Sequence, residues 1–103
     1  MFVRLTFLST LPENKDELKR IFTEEVVPIV RQQKGNLNVM LLEPTNMAEN
    51  YISLTEWENK SDGDAYEASG TYRKLVDKIK NLVARQPELK TYNAVVVGSM
   101  TAV

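Results

Sequence analysis

The order of elements in this sequence predicts an α+β fold: a ferredoxin-like βαββαβ sandwich built on a four-stranded antiparallel sheet. Short runs rich in β-branched and aromatic residues alternate with helical segments in the order strand, helix, hairpin, helix, strand. Two segments repeat apolar residues at spacings of three and four, as helices lying on a sheet do. The second strand is apolar on both sides, so both sheet faces call for burial. Helices cover one face, and a second copy packed sheet to sheet would cover the other, which predicts a homodimer.

Residues 2–8 open the chain as a strand, with Val3, Leu5 and Phe7 on one side and Phe2, Arg4, Thr6 and Leu8 on the other. A helix starts near residues 12–15, where Pro12 and the acidic Glu13, Asp16 and Glu17 suit a helix N-terminus. Its stripe is Leu18, Ile21, Phe22, Val26, Ile29 and Val30. Pro28 has no N–H for the carbonyl of Glu24, which predicts a kink or a tightened last turn, and Lys34-Gly35 stops the helix.

Residues 37–43 and 51–58 form the hairpin, joined by a polar connection over residues 45–50. Ser61 suits an N-cap with Asp64 three residues on, although Gly63 weakens that turn. This short helix ends at Ser69-Gly70. A further helix from Thr71 carries Tyr72, Leu75, Val76, Ile79, Leu82 and Val83, with Pro87 past its end. Residues 89–97 are the last strand, with Val95, Val96 and Val97 offered to the sheet, and an apolar tail over 99–103 could close the dimer through Met100 and Val103.

The chain's 103 residues make one domain, 1–103, and its net charge of −1 without a clustered basic face argues against nucleic acid and anionic membrane as partners. An RNA-recognition module on the same strand order fails on that charge and on the missing basic, aromatic-rich strand motif. The run 2–8 is too short and too interrupted by Arg4 for a signal or a span, so the expectation is a cytoplasmic protein with a small-molecule substrate or ligand. The chain has no histidine and no cysteine, which removes the commonest base near neutral pH, the usual proximal haem ligand and thiolate chemistry. Glu24-Glu25 and Glu56-Glu58 lack further ligands at a telling spacing and read as solvated charge, so no metal and no cofactor is expected.

Tyr51, Ser53, Thr55 and Trp57 share one side of the third strand and describe a pocket wall of amphipathic aromatics with hydroxyls. Trp57 is open to two readings, pocket wall or core filler. Tyr72 begins a helical stripe and reads as core or wall; Tyr66 reads as a cavity cap or a surface tyrosine. Arg4, beside Thr6, reads as an edge or rim charge, or as the cation for an anionic substrate. The candidates are therefore Trp57 and Tyr66 for catalysis, and Trp57, Tyr66, Tyr72, Ser53 and Arg4 for substrate binding.

The chain also resembles the antibiotic biosynthesis monooxygenase family of dimeric α+β barrels, which includes quinol monooxygenases, haem-degrading enzymes and an autoinducer-2 processing isomerase. The resemblance rests on Lys34-Gly35-Asn36-Leu37, similar to the Gly-x-Leu opening of the family's second strand, and on Glu56-Trp57-Glu58-Asn59, similar to its Trp-Glu-Ser signature. Ala65-Tyr66 stands where the family commonly has Ala-His, and Ser69-Gly70-Thr71-Tyr72 where it commonly has a Ser-Pro-His-Phe-like turn. Val76 stands near the haem-ligating histidine of the haem-degrading branch and Thr6 near its strand-one asparagine, so the resemblance argues against haem degradation. It implies a dimeric barrel with its pocket between sheet and helices, and a cofactor-independent monooxygenase-like enzyme acting on a small aromatic or quinol-type substrate. The alternative is a non-catalytic small-molecule-binding or stress-related barrel that lost the family histidines.

Overall fold

The computed structural model describes residues 1–46 and 48–98; the expectation for the 99–103 tail lies outside the described residues. Strands β1 (Phe2–Leu8), β2 (Asn36–Leu42), β3 (Tyr51–Trp57) and β4 (Glu88–Asn93) form one sheet in the order β2-β3-β1-β4. Every pairing is antiparallel. This is the α+β ferredoxin-like arrangement that the element order predicts, with β1 and β3 in the interior and β2 and β4 at the edges.

The strand alternation sorts side chains cleanly. Phe2, Arg4, Thr6 and Leu8 of β1 and Tyr51, Thr55 and Trp57 of β3 are buried under the helices. Helix α1 (Lys15–Ile21), a π turn (Phe22–Val26) and α2 (Val27–Arg31) supply Leu18, Ile21, Phe22, Val26 and Val30 to this core. Helices α3 (Lys60–Ala68) and α4 (Thr71–Ile79) add Tyr66, Leu75 and Ile79. Leu18 and Val30 are fully enclosed, each stabilising the fold by roughly 1.5–3 kcal/mol.

Pro28 acts one turn upstream of where its effect was expected. The Val27 N–H reaches back to the carbonyl of Phe22, a span of five residues, so the helix widens into a π turn just before the proline. The last turn does tighten, with Gln32 N–H donating to Ile29 O and Gln33 N–H to Val30 O. Gly35 follows at φ 80° and its carbonyl accepts from Glu58 N–H at 2.8 Å, tying the helix exit to the end of β3.

Two local expectations are corrected. Helix α3 starts at Lys60, with extended Asn59 rather than Ser61 at its N-cap; the Asn59 carbonyl accepts from the N–H groups of Asp62 and Gly63. Strand β4 ends at Asn93 rather than reaching Val97. Phe2, the first residue of β1, is the register partner of Asn93, and Ala94 N–H already donates to Met1 O. Among the described residues no strand is left to pair with Val95, Val96 and Val97, which are 86%, 90% and 58% exposed.

Candidate functional site

A polar stripe crosses the centre of the helix-covered sheet face. Arg4 and Thr6 are buried on β1, and the register sets Thr55 beside Arg4 and Ser53 beside Thr6 on β3. Because β1 is an interior strand, Arg4 is not the edge or rim charge that one sequence reading made it; its side chain is 4% exposed. A buried guanidinium requires partners. Its Nη2 donates to Glu67 Oε1 at 2.8 Å, whereas its Nε, also buried, has no hydrogen-bond partner among the described residues.

The helices close over this stripe with aromatic rings. Helix α3 sets down Tyr66 next to Glu67, and Gly70, at φ 85°, turns the chain so that α4 delivers Tyr72. The Arg4 Cζ lies 4.7 Å from the Tyr72 ring centroid and 5.5 Å from that of Tyr66, distances at which a cation is attracted to a ring face. Tyr66 and Tyr72 meet edge to face at 5.9 Å, and the Tyr72 hydroxyl shares a 3.1 Å hydrogen bond with Thr6 Oγ1. Burial pushes the Tyr66 phenol well above its ordinary range, the nearby Arg4 charge offsetting only part of this.

These groups surround a cavity of about 40 Å³ between sheet and helices. Arg4, Thr6, Ser53, Thr55, Tyr66 and Tyr72 are its polar lining, and the apolar remainder includes Phe22 and Val26 from the π turn and Val76 from α4. Tyr72 and Val76 also face an outer cleft of about 320 Å³ beside Glu67, Gln86, Pro87 and Leu89. Tyr72 therefore stands between the two spaces.

Four of the five candidate binding residues, Arg4, Ser53, Tyr66 and Tyr72, line the inner cavity together. Trp57 does not. It is fully buried behind the wall, stacked on Tyr66 at 4.9 Å and donating from Nε1 to Thr55 Oγ1 at 2.9 Å. Sequence reasoning passed over Glu67 and the contribution of the π turn. Glu67 lies 63 positions from Arg4 and no local pattern links them; an inward-facing arginine on an interior strand was the available signal that an acid on α3 must approach it. Glu24 and Glu25 hold Arg20 and Lys78 in surface ion pairs, and among the described residues no group of three potential metal ligands occurs.

A model of the antibiotic biosynthesis monooxygenases matches residues 1–78, most of the chain. The chain belongs to the antibiotic biosynthesis monooxygenase family. No curated protein matches it at a significant level. Among solved structures, it is similar to a protein from Deinococcus radiodurans assigned to the antibiotic biosynthesis monooxygenases, at 18% identity and a TM-score of 0.80, over 99% of this chain and 100% of that one. It is also similar to the haem degrader MhuD of Mycobacterium tuberculosis, with two haems bound, at 21% identity and a TM-score of 0.80, over 96% of this chain and all of that one. A protein from Nitrosomonas europaea, assigned to the same monooxygenases, matches at 14% identity and a TM-score of 0.76, over 93% of this chain and 100% of that one. At these identities the likeness is one of fold.

The cavity of this family member does not suit a haem. Its polar lining consists of hydroxyls and one guanidinium, Val76 offers no donor atom, and burial disfavours the tyrosinate that Tyr66 would need to become to ligate iron. Among the described residues, no helix is long and apolar enough to cross a membrane.

Proposed function

We propose that this member of the family is a cofactor-independent monooxygenase-like enzyme acting on a small aromatic or quinol-type substrate in the space between sheet and helices. The observation that carries the proposal is the cavity between sheet and helices in which Arg4, Tyr66 and Tyr72 meet. In the reaction a phenol and dioxygen give a quinone and water. One ring C–H and the phenolic C–O–H each become C=O; one oxygen atom of dioxygen enters the ring, and the other leaves as water with the two hydrogens. The ring supplies the electrons, so the protein's part is to bind, orient and exclude water.

The roles follow from position. Arg4 faces the oxygen of the substrate, where its fixed charge stabilises negative charge that grows there. Tyr66 offers its ring beside Arg4, Ser53 and Thr6 supply hydroxyl hydrogen bonds, and Trp57 holds Tyr66 in place from behind. The inner cavity is too small for a quinol by itself, so the substrate body lies in the outer cleft and Tyr72 moves aside to join the two spaces.

The open face of the sheet supports a homodimer. Val3, Leu5 and Phe7 of β1 align there with Ile52 and Leu54 of β3 and with Met40 and Leu42 of β2, an apolar patch bordered by Glu56, Glu88 and Lys90 that a second copy would cover. Sedimentation at micromolar concentration tests it: a dimer is expected, and a stable monomer ends the idea. For the enzyme, oxygen uptake is measured across a panel of hydroquinones and acidic phenols, with turnover expected for at least one and abolished in Arg4→Met. No uptake across the panel, with ligand binding retained, would instead favour a non-catalytic binding barrel, a reading that the small size of the cavity supports.

A further inference from the structure

The cavity can hold an anion, but its own side chains cannot make one at neutral pH. Its polar lining is Arg4, Thr6, Ser53, Thr55, Tyr66 and Tyr72, which is one permanent cation and five hydroxyls. The chain has no histidine or cysteine, and among the described residues no carboxylate lines the cavity. Glu67, the acid nearest to Arg4, is already bonded to it through Nη2.

Arg4 is the second half of the observation. Its Nε is a buried donor without an acceptor, and a donor left in that state costs about 1–3 kcal/mol, more on a charged group. An acceptor that reached it would remove that cost, and a charged one would gain most from the guanidinium.

We infer that the cavity, opened to the outer cleft by Tyr72, selects ligands that arrive already ionised: phenols or enols conjugated to an electron-withdrawing group, bound with the oxyanion on the guanidinium of Arg4. The inference rests on the monooxygenase-like reading only for what happens after binding. An ordinary phenol, with a pKa near 10, stays protonated at neutral pH and has no base here to take its proton; an acidic phenol brings the missing deprotonation with it. Charged and titratable groups facing Arg4 are few. Helix α3 contributes Tyr66 and Glu67, and α4 contributes Tyr72; β3 brings Ser53 and Thr55 and the π turn Phe22 and Val26, none of which titrates near neutral pH. Glu67 opposes the bound anion and Arg4 favours it.

The test uses 4-nitrophenol, whose phenolate is yellow and which ionises near neutral pH, with 4-nitroanisole as the neutral isostere. Absorbance titrations of the wild-type protein between pH 5 and 9 on the order of one pH unit apart report binding and ionisation together. The bound probe is expected to ionise at least about one unit lower than the free probe, equivalent to roughly tenfold tighter binding of phenolate than phenol. Glu67→Gln should deepen that shift, and Arg4→Met should erase it, the phenolate then binding no better than nitroanisole. An unshifted or raised ionisation in wild type overturns the inference without any variant, as does absence of nitrophenol binding. Oxygen uptake is scored separately. A retained shift with no uptake by any acidic phenol sinks the enzyme reading and leaves the anion site standing; uptake with plain hydroquinone equal to that with acidic phenols at neutral pH sinks the inference and leaves the enzyme.

Discussion

Arg4 and Glu67 form an ion pair at 2.8 Å in which the two partners live in different solvents: the arginine side chain is 4% exposed and the glutamate 51%. The pair is therefore asymmetric in what its loss costs. Removing Glu67 leaves a buried cation with its donors stranded, whereas removing Arg4 leaves a carboxylate that water can solvate.

Glu67→Ala is expected to lower stability by about 1–2 kcal/mol, less than a fully buried pair because half of the carboxylate is already screened by water. Arg4→Met fills similar space with apolar atoms and ends the burial of an unpartnered Nε, so stability within about 1 kcal/mol of wild type, or above it, is expected. Urea unfolding of both variants decides this. Equal losses would show that the guanidinium holds the fold together through contacts other than Glu67.

Gly63 sits inside α3 for want of room. A Cβ built there would lie 2.8 Å from Phe2 Cε2 and 2.9 Å from its Cδ2, closer than real contacts allow. Gly63→Ala gains about 1 kcal/mol of helix propensity but forces apart two packed elements, a penalty of about 1–3 kcal/mol. A net loss of up to about 2 kcal/mol is expected. Combining it with Phe2→Leu should recover part of that loss, and strict additivity of the two losses in thermal melts would refute the steric account.

The same glycine shows how far the sequence reaches. Period-two and period-three-and-four patterns depend on neighbours along the chain, and from them the order of elements, the sheet and the two sides of β1 are readable, but not which side the helices cover. The close approach of α3 to Phe2 is set by residues 61 positions apart, so Gly63 looked like a weak point of a helix when it is the condition for packing that helix against β1. Val95 to Val97 misled for a related reason: their composition is that of a strand, but pairing requires a partner, and β1 runs out at Phe2. At the site, the residue types pointed to Ser53, Tyr66, Tyr72 and Arg4, while the burial of Arg4 follows from strand order, which single-residue reasoning did not use. Trp57 carried the family signature, but its indole is spent on Thr55 and Tyr66 rather than on the cavity.

That indole contact is testable. Trp57 Nε1 and Thr55 Oγ1 are both buried, and Thr55→Val would keep the shape of the threonine while leaving the indole N–H without its acceptor. A loss of about 1–3 kcal/mol is expected. Trp57 is the chain's one tryptophan, so its fluorescence reports the local change directly. In a Trp57→Phe background, which has no N–H to strand, Thr55→Val should cost less than about 1 kcal/mol. A double-mutant cycle showing the same cost in both backgrounds would mean that Thr55 acts through packing alone.

Tyr66 gives the protein a specific response to alkali. Burial raises the pKa of its phenol in the folded state, with the Arg4 charge offsetting part of the rise. A raised folded-state pKa favours the protonated form, so the contribution to stability is full below the unfolded-state value near 10 and is lost as pH climbs above it. In that window the unfolded chain has released the proton and the folded one still holds it, so stability falls by about 1.4 kcal/mol per pH unit for this one group. Tyr51, held up by its hydrogen bond to Glu43, adds a slope of the same sign in both proteins. The measurement is therefore the difference between wild type and Tyr66→Phe in urea unfolding from pH 9 to about 12. Tyr66→Phe keeps the ring that stacks on Trp57 and lacks the ionising group, so its stability should decline more gently, the two curves converging or crossing above pH 10. Parallel curves would show that the Tyr66 hydroxyl meets water freely in the folded protein, and the burial of Tyr66 on which the site rests would have to be abandoned.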